Sequence, residues 1–146
     1  MPSSVDVAEY FLILEGEGGE ISNLKLQKLM YYAQGFSLAL RGEPLFLEPI
    51  EAWMHGPVVS SLYHRFKDFG SNPIPPANDF NPSVLSQDER RLIEEVYDVY
   101  GQYSAWKLRQ LTHEEDPWRN NFAEGEYSRE IPQREMERYF RENLVN

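Results

Sequence analysis

One segment constrains the fold of this chain more than any other. Between Ser22 and Gly42, Leu26, Leu29, Met30, Ala33, Phe36 and Leu40 recur at helical spacing. Residues three and four apart stack on one side of a 3.6-residue turn, so the stripe predicts a helix with an apolar face. Ser22 supplies a capping oxygen and Gly42 a stop, which bounds the helix to roughly 23–41. Such a face is a core face first and a binding groove only second, and the rest of the chain must pack around it. Tyr31 and Tyr32 are adjacent and leave the backbone in different directions. They are not expected to meet the same neighbour, and one of them is expected at a rim.

The flanking segments read as further helices. Ser4 is expected to cap a first helix over Val5–Leu14, with Val5, Ala8 and Leu12 on one face, and Gly16-Glu17-Gly18-Gly19 ends it. Pro44 to Trp53 alternates in polarity, so a short hairpin or a pair of extended segments is expected near 45–53, with Pro49 confining any strand to an edge. Gly56-Pro57 is expected to open a third helix that carries Val58, Val59, Leu62, Tyr63, Phe66 and Phe69 to a stop at Gly70. Four prolines between Ser71 and Leu85 predict an irregular loop. Ser86-Gln87-Asp88-Glu89 is a capping box for a fourth helix, closed by Gly101. Ser104 caps a short fifth, with Ala105, Leu108 and Leu111 inside. Asp116-Pro117 is expected to break the chain, residues 120–127 to form a polar loop, and 132–143 to form a last helix with Met136, Tyr139 and Phe140 inward. The sum is a mainly α fold: a single compact helical domain over 1–146, with about six helices plus a short β-hairpin or pair of extended segments near 45–53.

Composition narrows the function. At 146 residues a single hydrophobic core is feasible without a disulfide or metal staple. Cysteine is absent, which excludes a disulfide scaffold, a zinc ribbon and a thiol nucleophile. The formal charge is −10, against what binding to nucleic-acid phosphates requires, so no tight nucleic-acid binding is expected. The N-terminus lacks the basic residues of a secretory signal, and its apolar run Tyr10–Leu14 is far too short to span a bilayer. A soluble cytoplasmic protein with no membrane association is expected. Acid is concentrated early, at Asp6, Glu9, Glu15, Glu17 and Glu20, a surface suited to a basic partner.

Chemistry is sparse. Of His55, His64 and His113, none lies four residues from another, and no H-E-x-x-H motif occurs. Thr112-His113-Glu114-Glu115-Asp116 is the densest mixture of imidazole and carboxylate, but a metal there would need His55 or His64 brought in by the fold. Serines sit mostly at helix caps, and there is no phosphate-cradling glycine loop or nucleophile elbow. Lys25, Lys28, Arg65 and Lys67 form at best a weak phosphate patch. No catalytic residue, metal or cofactor is therefore expected. A small hydrolase-like enzyme using His113 and nearby carboxylates remains the alternative.

Four stretches taken together resemble one family. They are Leu24-Lys25-Leu26-Gln27-Lys28-Leu29-Met30-Tyr31-Tyr32-Ala33-Gln34-Gly35, Ile50-Glu51-Ala52-Trp53-Met54-His55-Gly56-Pro57-Val58-Val59, Leu62-Tyr63-His64-Arg65-Phe66-Lys67 and Leu111-Thr112-His113-Glu114-Glu115-Asp116-Pro117-Trp118. In this order the chain is similar to the Panacea domain, also called the SocA-like antitoxin domain. The resemblance implies a bacterial or phage-encoded type II antitoxin that binds and blocks a toxin protein, typically the product of an adjacent gene. A proteolysis adaptor that delivers its toxin to a protease is a variant of that role. Whether the chain forms a homo-oligomer is left open. Trp53, Tyr63 and Trp118 would serve as anchors of such an interface if exposed, and as core if buried. His55 and His113 are further candidate contacts, with Glu15, Glu17 and Glu20 as an acidic rim.

Overall fold

The computed structural model describes residues 1–126 and 128–144. Its helices are α1 (Ser4–Glu15), α2 (Asn23–Arg41), α3 (Ser60–Phe66), α4 (Gln87–Tyr100), α5 (Ala105–His113), α6 (Asp116–Arg119) and α7 (Gln133–Leu144). Three short strands, β1 (Glu51–Trp53), β2 (Gly56–Val58) and β3 (Arg129–Glu130), form one antiparallel sheet in the order β2-β1-β3. Tyr127, placed by the sequence at the end of a polar loop, lies outside the described residues.

Everything is arranged around α2. It packs against α1, α3, α4, α5, α7 and β2, and residues 25–38 are all buried. The predicted bounds hold: Ser22 accepts the Lys25 N–H, and Gly42 stops the helix in the left-handed conformation that glycine tolerates best. The apolar stripe is only part of the buried surface, because neighbours enclose the helix on all sides. Leu40, the last member of the stripe, is 53% exposed, since the packed length of α2 ends before it. Gly35 faces Phe140 of α7 so closely that a Cβ there would collide with the ring.

Tyr31 and Tyr32 correct the expectation that they part company. Both are fully buried, and both hydroxyls donate to one carboxylate, Tyr31 to Glu115 Oε1 and Tyr32 to Oε2, each at 2.8 Å. Their Cβ atoms diverge, but the phenol arms are long and a carboxylate has two oxygens.

The hairpin sits later in the chain than 45–53. Glu51 pairs with Val58, Ala52 with Pro57 and Trp53 with Gly56, so Met54 and His55 form the tip. Pro57 therefore lies in an edge strand and does not open a helix; α3 begins at Ser60. Side chains of α2 account for this. Gln27 Oε1 accepts the Val59 N–H at 2.9 Å, and Lys28 Nζ donates to the Pro57 carbonyl at 3.0 Å. The outer edge of β2 is thereby satisfied by a helix, which holds residues 56–59 extended. α3 runs on into a 3-10 turn at Lys67–Phe69, and Gly70 ends it as expected.

Smaller differences have equally local causes. Ser3, not Ser4, caps α1, in a capping box with Asp6, while Ser4 is buried and donates to Glu48. Asp116-Pro117 starts the single turn α6, because a proline in the first helical turn loses no hydrogen bond. The proline-rich loop carries a 3-10 turn at Pro82–Val84 and is pinned where the Ile74 N–H meets the Ile21 carbonyl at 2.9 Å and the Ala77 N–H meets Glu9. β3 had no signal in the sequence; Ile131 N–H to the Ile50 carbonyl, at 2.7 Å, extends its attachment to the β1 segment.

Candidate functional site: a groove beside the hairpin

An open groove of about 860 Å³ lies between the N-terminus of α2, the β1–β2 hairpin, α3 and the N-terminus of α5. Leu24, Trp53, Met54, Val58, Tyr63 and Ala105 supply its apolar surface, with His55, His64 and Lys67 among its polar lining. Each wall follows from a local cause. The hairpin projects Met54, 59% exposed, from its tip. Trp53 and Tyr63 meet edge to face with centroids 5.0 Å apart, and His64 packs beside both. Trp53 Nε1 donates to Glu51, so the indole's polar end is satisfied within the chain. α3 is tied to α2 by Asn23 Nδ2, which donates to the Tyr63 carbonyl at 3.0 Å, and Gln27 in turn donates to Asn23.

Behind the hairpin stands a second aromatic layer. Trp118 Nε1 donates to the Trp53 carbonyl at 2.7 Å. Its indole is stacked between His113, at 3.9 Å and 4° between planes, and Phe122, at 4.8 Å. Burial, reinforced by Arg109, Lys28 and His55, pushes the His113 imidazole down to about 4, so it is neutral near pH 7. Among the described residues its buried Nε2 has no hydrogen-bond partner. The charges acting on it are cationic. Of the acids in its motif, Glu115 is turned toward Tyr31 and Tyr32, with its carboxyl pushed up to about 7 by burial against the opposing pull of the two phenols. Among the described residues, no group of three or more His, Asp or Glu is placed to hold a metal ion.

The sequence candidates thus separate into three places. Trp53, His55 and Tyr63 line the groove; His113 and Trp118 brace it; Glu15, Glu17 and Glu20 lie at the α1–α2 turn, outside the lining. Glu15 is engaged internally, accepting the Tyr97 hydroxyl and the Glu20 N–H at 2.6 Å; burial alone would raise its carboxyl, but these bonds hold it low. The basic patch does not assemble. Lys28 is fully buried and Lys25 buried, each donating to a backbone carbonyl, Arg65 lies over the Phe66 ring, and only Lys67 reaches the groove. Sequence reasoning overlooked Met54 and Trp106. Trp106 is 65% exposed, with Arg109 over its ring at 4.7 Å, and Arg109 Nε also meets His55 Nδ1 at 3.1 Å. Its signal was phase: Leu108 and Thr112 face the core, and Trp106 falls off that face.

This geometry lies within the part of the chain that matches known proteins. The family model for the SocA-like antitoxin, Panacea domain, matches residues 26–119, which carry most of α2, the hairpin, α3, α5 and α6. The chain belongs to this family. It is similar to Antitoxin SocA of Caulobacter vibrioides (strain NA1000 / CB15N), with 36% identity over 110 residues, 67% of this chain and 58% of that protein. The chain thus spans less than two thirds of that relative's length. No solved structure matches. Among the described residues, no helix is long and apolar enough to cross a membrane.

Proposed function

We propose that this protein is an antitoxin that neutralises a partner toxin by direct protein–protein binding, acting in the cytoplasm and without catalysis. Family membership supports the antitoxin role. The observation that carries direct binding is the groove: Trp53, Met54 and Tyr63 present aromatic and flexible apolar surface in a pre-formed concavity inside the matched region. In this reading Trp53, Tyr63 and the exposed tip residue His55 contact the toxin, His113 and Trp118 hold the contact surface in place, and Glu17 and Glu20 speed encounter. The surroundings of His113 favour this over the hydrolase alternative, since a catalytic base is raised by an acidic partner, whereas His113 stacks on an indole, meets only the Met54 backbone and is pushed down by burial and the cations around it.

The test is co-expression of the chain with the product of the neighbouring open reading frame. Growth rescue together with co-purification of a stable complex is the expected result. Met54→Asp and Tyr63→Ala should each lose rescue while keeping the wild-type thermal melt. Rescue without any complex would overturn direct binding.

A further inference from the structure

The groove differs in charge from the molecule that carries it. The chain has 24 acidic and 14 basic residues, yet among the described residues no Asp or Glu lines the groove. Lys67 lies on its lining, and Arg109 is held beside it through His55. Glu51, two residues before Trp53, accepts its indole N–H at 2.9 Å and does not line the groove. Two longer helices also begin there. Ser22, Asn23 and Leu24 of the α2 start and Ala105 of the α5 start line the groove, and a helix start carries partial positive charge and free N–H groups. Lys67, Arg109 and these helix ends therefore place positive potential around an apolar floor.

Resting on the antitoxin reading, we propose that the groove takes an apolar segment of the partner protein that carries carboxylates, its large side chains on Trp53, Met54 and Tyr63 and its acid toward Lys67 and Arg109. The recognised element is then acidic, and the acid at the α1–α2 turn plays no part in holding it. A protein segment fits better than nucleic acid, because the floor is apolar and the chain's net charge of −10 repels a polyanion at longer range. A volume of about 860 Å³ has room for several side chains, at the upper end of the ~300–1,000 Å³ typical of ligand sites.

The test uses the full chain and two labelled synthetic peptides with the same leucine- and tryptophan-containing centre, one flanked by glutamates and one by lysines. Fluorescence anisotropy at physiological salt should show the glutamate peptide binding about tenfold more tightly or better. Amide shifts on binding should centre on Trp53, Met54 and Tyr63. His64→Glu combined with Lys67→Glu, both at exposed positions, should reverse the preference and leave the circular-dichroism melt unchanged. Equal binding, preference for the lysine peptide, no binding of either, or displacement of the acidic peptide by a single-stranded oligonucleotide would each overturn the inference. The same double variant separates the two readings in the co-expression assay. If it rescues as well as wild type, the groove inference fails and the antitoxin role stands. If wild type itself does not rescue, the antitoxin role fails whatever the peptides do.

Discussion

Trp118 donates its indole N–H to the backbone carbonyl of Trp53, 65 positions earlier, at 2.7 Å. That bond joins the end of the Leu111–Trp118 stretch to the middle of Ile50–Val59. It makes physical sense of two motifs that look unrelated in sequence: one forms the groove wall, and the other holds the wall's backbone. The stack of His113, Trp118 and Phe122 keeps the indole in the plane the bond requires.

Trp118→Phe preserves the stacked ring and removes only the donor. The Trp53 carbonyl then loses its partner in a part-buried setting, so the variant should lose about 1–3 kcal/mol of unfolding free energy. Urea denaturation followed by circular dichroism measures this. A loss near zero would show that water replaces the indole freely.

Glu115 makes stability depend on acidity. Its carboxyl is pushed up from 4.5 to about 7, mainly by burial. Between those values the native state holds a proton that the unfolded chain has released, so Glu115's contribution to stability falls as pH rises from about 4.5 to 7 and then levels. His113 works oppositely below about 6.5, because its folded value near 4 leaves the unfolded chain holding the extra proton. The two partly cancel in wild type. Glu115→Gln should unmask the His113 rise. Relative to wild type the variant should gain stability between about pH 5 and about pH 7.5, where each tenfold difference in proton affinity between the folded and unfolded carboxyl is worth roughly 1.4 kcal/mol. Unfolding curves at the two pH values are the check, and a constant difference would refute the linkage.

Lys28 has the opposite sense. Burial, with Arg109 nearby, lowers its ammonium from 10.5 to about 7. Between these values the unfolded chain binds the extra proton, so native stability should rise as pH climbs from 7 toward 10.5. Lys28→Met should abolish that rise. At pH 7 it should change stability little, because relief of desolvation is offset by a Pro57 carbonyl left unpaired at a cost of about 1–3 kcal/mol. Denaturation at pH 7 and 9.5 separates the two contributions.

The stripe on α2 can be read by contrast. Leu29 is fully buried and Leu40 is 53% exposed. Leu29→Ala should cost about 2–5 kcal/mol, while Leu40→Ala should stay within about half a kcal/mol. Similar losses at both positions would mean that Leu40 is covered in solution.

Much of this fold was readable before any tertiary contact was known, and particular residues show why. Ser22, Ser86 and Ser104 each cap the helix they were expected to cap, because a capping hydroxyl bonds to an N–H within its own turn. Met136 and Phe140 point inward on α7 for the same reason of short range: their phase is set by 3.6 residues per turn. The site was half readable. Trp53, His55 and Tyr63 could be named as candidates, but nothing local said that they converge, or that Trp118 would stand behind them and the acidic residues elsewhere.

What the sequence determined by itself is therefore the mainly α character, the bounds of α2 and α4, the absence of thiol chemistry and the likeness to an antitoxin family. Each depends on interactions within a few residues or on composition. Only the tertiary structure decided that Gly56-Pro57-Val58 is a strand, since Gln27 and Lys28 must arrive from another helix to satisfy its edge. It also decided that Tyr31 and Tyr32 share Glu115, and that an acidic chain carries an apolar groove with no carboxylate among its described lining residues. These outcomes join residues separated by 29 to 84 positions. Backbone propensity carries no information over that distance, and only packing around α2 brings the partners together.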